Sequence, residues 1–232
     1  MRVEAPHGAG FDSSPAIKSI PEGSGGGTLT LRIGNDVWLG RKTTIEVWAR
    51  GDNVLEVGDR TRFLDGVRIA LRSGSVRFGQ NCLIRDGVWI KSDGELVAGR
   101  EVTLSHHAAV HCTERIELED LVGIGDRVSV LDSDHVFDGS DEHYMSRPVQ
   151  VSPVHVGRNT MVAVGAVVLR GTRIGPNSVV ATNSVVRGGE YPRGAIVAGI
   201  PARLVKVLSP SSAAPVARAP EPAGEELRPR AS

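Results

Sequence analysis

One aliphatic residue returns every six positions through Val156, Val162, Val168, Ile174, Val180 and Val186, and neither a helix nor an ordinary strand explains that period. An α-helix buries residues spaced by three and four, and a period-2 strand covering this whole run would far exceed the usual strand length. A chain that lays down six residues as one flat side, turns, and repeats satisfies the pattern. Three such sides close a triangular coil, and the aliphatic at the head of each hexad points inward onto its counterpart in the next coil. Four residues after each aliphatic stand Thr160, Ala166, Thr172, Ser178 and Ser184, small enough for a tight corner. Gly157 and Gly175 follow the aliphatic directly, where the backbone is crowded.

The same grammar runs through Ile33, Leu39 and Ile45, through Val57, Phe63 and Ile69, through Phe78, Ile84 and Ile90, and through Leu118, Ile124 and Val130. Roughly seven coils are expected, and because one coil alone leaves its faces open, stability must come from stacking. Each buried aliphatic contributes about 1.5–3 kcal/mol. Aromatic residues make up only 4% of the chain, and the hydrophobic share is dominated by Val, Ile, Leu and Ala, which suits many short, tightly turned strands.

With 27 basic and 27 acidic residues the formal charge is zero, so no overall field recruits nucleic acid or an anionic membrane, and neither is an expected partner. Two cysteines, Cys82 and Cys112, form no disulfide framework or zinc knuckle by their spacing. The first residues lack the apolar stretch of a secretory signal, and no run approaches 18 apolar residues, so a cytoplasmic protein is expected. Residues 1–27, ending in the Gly23 to Gly27 tether, are expected to be flexible, residues 28–207 to form the β-helix, and residues 208–232, rich in Pro, Ala and Glu, to be disordered.

Register is lost after Val136 and regained at Val156, which puts a loop at 137–155, opened by LDSDH at 131–135. A long loop leaving a regular solenoid is commonly functional.

The hexads, together with the ending AIVAGIPARLVK at 195–206, resemble those of the hexapeptide-repeat acyltransferases over residues 30–207, the galactoside, maltose and other sugar O-acetyltransferases in particular. This resemblance implies an all-β fold, a single-stranded left-handed parallel β-helix with a protruding loop. It also implies a homotrimer with active sites between subunits, acetyl-CoA as donor substrate, and no metal. In that family a histidine just before the loop is the general base, and His135 holds that place. An imidazole accepts the acceptor's proton near neutral pH and returns it to the departing thiolate, without an acyl-enzyme. Asp132 or Asp134 is expected to orient the ring, with turn capping as the alternative for each. The related transferases carry an acceptor-binding Asn 30 residues before the His, where this chain has Ser105. Ser105, His107, Phe137, Tyr144 and Arg147, with His143, are candidates for the acceptor pocket.

By the same resemblance Val164, Gly165, Ala181 and Thr182 lie along the pantetheine of the donor, and Arg187, Arg203 and Lys206 face its phosphates. The run VATNSVV departs from the family's small, Gly-rich form. Trp48 and Trp89 are expected at coil surfaces or at the trimer interface. The expected reaction moves an acetyl or similar acyl group to a hydroxyl of a sugar or sugar-containing metabolite. Three alternatives stand beside it. One is N-acylation of an amino sugar or antibiotic, and one is a scaffold without chemistry. The third is a metal hydratase resembling the γ-class carbonic anhydrases, in which His106 and His111 would be ligands, but the place of the third histidine holds Ala70.

Overall fold

The computed structural model describes residues 2–4, 10–11, 16–20, 27–48 and 51–209, the first two segments by their backbone alone. The chain is a left-handed parallel β-helix of about eight turns. Each turn gives one short strand to each of three sheets. The first holds nine strands, from Arg2–Glu4 to Gly189–Tyr191, the second ten, from Gly10–Phe11 to Ala202–Val207, and the third eight, from Ala16–Ile20 to Val185–Val186.

Register turns the hexad pattern into three aliphatic columns. Val57, Phe78, Ala98, Leu118, Val156 and Ile174 stack in the first sheet. Leu39, Phe63, Ile84, Leu104, Ile124, Val162, Val180 and Val197 stack in the second, and Ile45, Ile69, Ile90, Val110, Val130, Val168 and Val186 in the third. All of these are buried, so the solenoid axis is the core. Phe63 and Phe78 meet edge to face at 5.5 Å, filling a level that Val or Ile fills elsewhere.

The small corner residues Thr160, Ala166, Thr172, Ser178 and Ser184 are buried as well. The Thr160, Thr172 and Ser178 hydroxyls donate to carbonyls, as in Ser178 Oγ donating to the Gly175 oxygen at 2.7 Å, so the polar group costs little when buried. A Cβ on Gly157 would come within 2.6 Å of the Pro176 nitrogen in the next coil, which explains glycine there. Many corners carry a residue in the left-handed region, among them Asn81, Asn159, Asn177 and Asn183, and Asn tolerates that conformation better than most non-glycine residues.

The solenoid begins earlier than the hexads suggest. Arg2–Glu4, Gly10–Phe11 and Ala16–Ile20 pair in parallel with the coil that follows, ahead of the boundary expected at residue 28. Phe11 and Ile17, six apart, sit in register with Leu39 and Ile45, a single hexad step too short to stand out as a repeat. Residues 23–26 of the tether and 210–232 of the tail lie outside the described residues. Among the described residues no helix is long and apolar enough to cross a membrane.

The loop also has different limits. It leaves the third sheet after Ser129–Leu131, forms an antiparallel ribbon between Ser133–His135 and Val149–Val151, and returns to the first sheet at Val154, which pairs with Ile116. The ribbon was hidden because its residues are mostly exposed and keep no hexad spacing.

Candidate active site

The base of the loop is built by a buried carboxylate. Asp132 continues the inward alternation of Val128 and Val130 and is fully buried. One of its oxygens accepts the Thr113 amide at 2.7 Å, and the other accepts the Glu114 and Arg115 amides, both at 2.8 Å. Its own carbonyl accepts the amide of Ser152 on the returning strand at 2.9 Å. Thr113 and Ser133 join their hydroxyls at 2.7 Å. One side chain therefore ties the preceding coil to the loop's exit, and one peptide ties the exit to the return.

A second buried charge shapes the loop itself. Arg147 is 8% exposed, and its guanidinium donates to the carbonyls of Ser140 and Glu142 at 2.5 and 2.8 Å. It pairs with Asp138 at 3.3 Å and lies 5.6 Å from the Phe137 ring centre. The Ser140 amide holds the Asp138 carboxyl below its ordinary pKa. Arg147, expected to line an acceptor pocket, has its donors committed to loop carbonyls and Asp138.

His135 ends the outgoing strand of the ribbon and pairs with Val149. Its Nδ1 is shut off from solvent with no hydrogen-bond partner. The Tyr144 ring packs against the imidazole edge to face at 5.6 Å and stacks on His143 at 5.0 Å. Asp134 is exposed, and the Asp132 oxygens are taken up by the turn amides, so Asp132 has the turn-capping arrangement. Tyr144, against the histidine, and Phe137, beside Arg147, are both exposed.

The other candidates gather at one corner, where the chain passes from the second sheet to the third. Successive coils stack there through backbone hydrogen bonds: Arg127 N to His106 O, Gly165 N to Asp126 O and Asn183 N to Val164 O. Ser105, His107, Val164, Gly165, Ala181 and Thr182 are thus neighbours along a single edge. Gly165 has φ 69°, and a Cβ there would come within 2.3 Å of Asn183 Oδ1, so glycine both suits the left-handed corner and leaves room for the Asn183 side chain. Arg187 follows the third-sheet strand Val185–Val186 and lies at the opposite edge of that sheet, the edge from which His135 departs. Arg203 and Lys206 are exposed on the terminal strand of the second sheet. The predicted set is therefore split: Arg187 and the exit of the chain towards the His135 ribbon lie at one edge of the third sheet and the small donor-type residues at the other, about four residues or roughly 13 Å apart across the strand.

The histidines of the metal reading are engaged separately. His106 lies 3.3 Å from Asp86 and 3.4 Å from Arg85. The His111 ring packs edge to face on Trp89 at 4.4 Å, and burial with nearby Lys91 pushes its pKa down. Among the described residues no group of three His, Cys, Asp or Glu is placed to hold a metal ion. The structural role of Asp132 was readable in principle, since Val128, Val130 and Asp132 alternate. The Trp89–His111 contact was not, because it joins two coils 22 residues apart on the outer face.

Comparison with known proteins follows the same line. No family profile matches the chain. It is 30% identical over 147 residues to WbbJ of Escherichia coli, named for lipopolysaccharide biosynthesis O-acetyl transfer, covering 57% of this chain and 72% of that one. It is 34% identical over 114 residues to the acetyltransferase Rv3034c of Mycobacterium tuberculosis, where the alignment takes in 49% of this chain but only 38% of the relative's length. Among solved structures, the polySia-specific acetyltransferase NeuO superposes with a TM-score of 0.60 at 17% identity, over 91% of this chain and 87% of that one, a likeness of fold.

Proposed function

We propose, from the premise that this chain belongs to the hexapeptide-repeat family of acyltransferases, that it transfers an acetyl or similar acyl group from acyl-CoA to a hydroxyl of a saccharide or saccharide-containing metabolite. The observation that carries the reading is His135, half-buried with its Nδ1 sealed and unpartnered, at the foot of a loop braced by two buried charges. The family relative WbbJ is named as an O-acetyl transferase. The solved structure of AntD from Bacillus cereus, with a TM-score of 0.50, is described as an N-acyltransferase in complex with dTDP and coenzyme A.

In this reading Nε2 of His135 takes the proton of the acceptor hydroxyl as its oxygen attacks the thioester carbonyl. The C–S bond then breaks, and the proton passes from the imidazole to the departing sulfur. Val164, Gly165, Ala181 and Thr182 offer a low corner along which a pantetheine can lie close to the backbone, and Arg187, Arg203 and Lys206 supply cations for its phosphates. By the family resemblance, the complete site joins the histidine-bearing loop of one copy to the donor corner of the next. A closed homotrimer with three such sites satisfies this, and cytoplasmic residence belongs to the same reading.

Isothermal titration with acetyl-CoA, zinc analysis of the same sample and sedimentation velocity test this. Micromolar binding by a trimer without stoichiometric metal is expected. Absence of binding, with about one zinc per chain, would replace the transferase with the hydratase.

A further inference from the structure

No carboxylate holds the His135 imidazole in place. Its Nδ1 is buried and has no hydrogen bond among the described residues. Both carboxylate oxygens of Asp132 accept the backbone amides of Thr113, Glu114 and Arg115. In the ribbon His135 is paired with Val149 and Ser133 with Val151, so these residues share one face, while Asp134, paired with Gln150, takes the other. The side chain that does meet the imidazole is Tyr144, with ring centres 5.6 Å apart and planes at 86°. Tyr144 is itself held from behind. It stacks on His143 at 5.0 Å, and His143 caps the short 3-10 turn Tyr144–Ser146, its Nδ1 accepting the Met145 amide at 3.2 Å and its carbonyl the Ser146 amide at 2.9 Å. The carbonyl of Tyr144 accepts the amide of the buried Arg147 at 3.2 Å, and the Val136 amide, next to His135, donates to the Pro148 carbonyl at 3.0 Å. The phenol ring therefore sits on a braced turn that is tied back to the strand carrying the histidine.

We propose that Tyr144 is the positioning residue of His135, its ring fixing the imidazole by packing where a carboxylate would fix it by a hydrogen bond. The inference rests on the acyl-transfer reading above. Rotation about the bond between an imidazole and its Cβ follows a broad, roughly two-fold profile, so a ring with no bond at Nδ1 needs a packed neighbour to stay in one plane. A phenol ring at right angles supplies that neighbour, since edge-to-face is a preferred arrangement of aromatic pairs. The contact belongs to the ring, and the phenol hydroxyl has no part in it. A general base displaced by about an ångström loses on the order of 10²-fold in rate, so a contact of this kind is felt in kcat. The sequence offers Tyr144 as a lining residue of the acceptor pocket; its place against the imidazole gives it a role through His135 instead.

Thiol release from acetyl-CoA with a panel of nitrophenyl pyranosides, by the full chain and by Tyr144→Phe, Tyr144→Leu and His135→Ala, tests the assignment. Crystal structures of the wild type and Tyr144→Leu show the imidazole directly. Leucine keeps much of the bulk without the ring, and phenylalanine keeps the ring without the hydroxyl. Tyr144→Leu should lower kcat by about 30- to 100-fold while the acceptor KM and the acetyl-CoA Kd stay within about twofold of wild type, and Tyr144→Phe should restore kcat to within about threefold. The His135 ring should hold one orientation in the wild type and more than one in Tyr144→Leu. Equal rates for the leucine and phenylalanine variants, or a raised acceptor KM at unchanged kcat, would overturn the assignment, the latter by returning Tyr144 to the acceptor pocket. So would a His135 ring that keeps its wild-type orientation in Tyr144→Leu. A wild-type rate in His135→Ala would be a failure of the acyl-transfer reading itself, and the pair of crystal structures would still decide whether Tyr144 sets the ring.

Discussion

At the scale of single residues, Asp132 carries more of the site's architecture than its sequence neighbours suggest. A carboxylate that accepts three backbone amides while fully buried cannot be removed without leaving those donors unsatisfied. Asp132→Ala should therefore cost about 3 kcal/mol or more, seen as a lower urea midpoint, whereas Asp134→Ala, at an exposed position, should change stability little. The sequence offered Asp132 or Asp134 as the residue orienting His135, with turn capping as the alternative for each, because adjacency in LDSDH says nothing about which face of the strand each one takes. Alternation with Val128 and Val130 does say it, and it turns Asp132 inward. Gly165→Ala makes a second residue-scale test. Its side chain would collide with Asn183 in a left-handed corner, so a raised Kd for acetyl-CoA is expected in titration, with the coil otherwise folded by circular dichroism.

At the scale of elements, strands and loop differ in how openly the sequence displays them. A strand in this solenoid repeats one inward aliphatic, and the three buried columns follow from that spacing alone, from Leu39 through to Val197. The loop holds itself by bonds that have no period: a buried Arg147 on the carbonyls of Ser140 and Glu142, and a ribbon of exposed residues. Its existence was legible as a break, and its internal order was not. Arg147→Ala should loosen the turn at 138–142, which limited proteolysis would report as new cleavage there, with a lower kcat as His135 loses the packing of Tyr144. The neighbouring coil supplies a control. Burial pushes the Cys112 thiol up to about 12, so it should resist a disulfide reagent at pH 8 in the wild type and in Arg147→Ala alike, and react only on unfolding.

At the scale of the whole molecule, rungs of Arg–Asp pairs run along the corners, including Arg41 with Asp65 and Arg100 with Asp120. The side-chain hydrogen bond from each arginine holds its aspartate's pKa below the ordinary value. A depressed folded pKa stabilises above the unfolded value, about 3.9, and that contribution is lost as pH falls through the folded pKa. The double variant Asp65→Asn, Asp120→Asn should accordingly be less stable than wild type at pH 6, and the gap should close towards pH 2 in urea titrations. The overall coil was legible because its core repeats. The proposed pairing of His135 with a donor corner of a neighbouring copy comes from the family resemblance alone, because it is a relation between copies of the chain that no spacing within one copy encodes. His135 as the proposed general base is tested by thiol release from acetyl-CoA with a saccharide acceptor, by wild type and His135→Ala, beside their donor affinities. A fall in kcat of about 10²–10⁴-fold with unchanged acetyl-CoA binding is predicted; turnover by His135→Ala at the wild-type rate would contradict it.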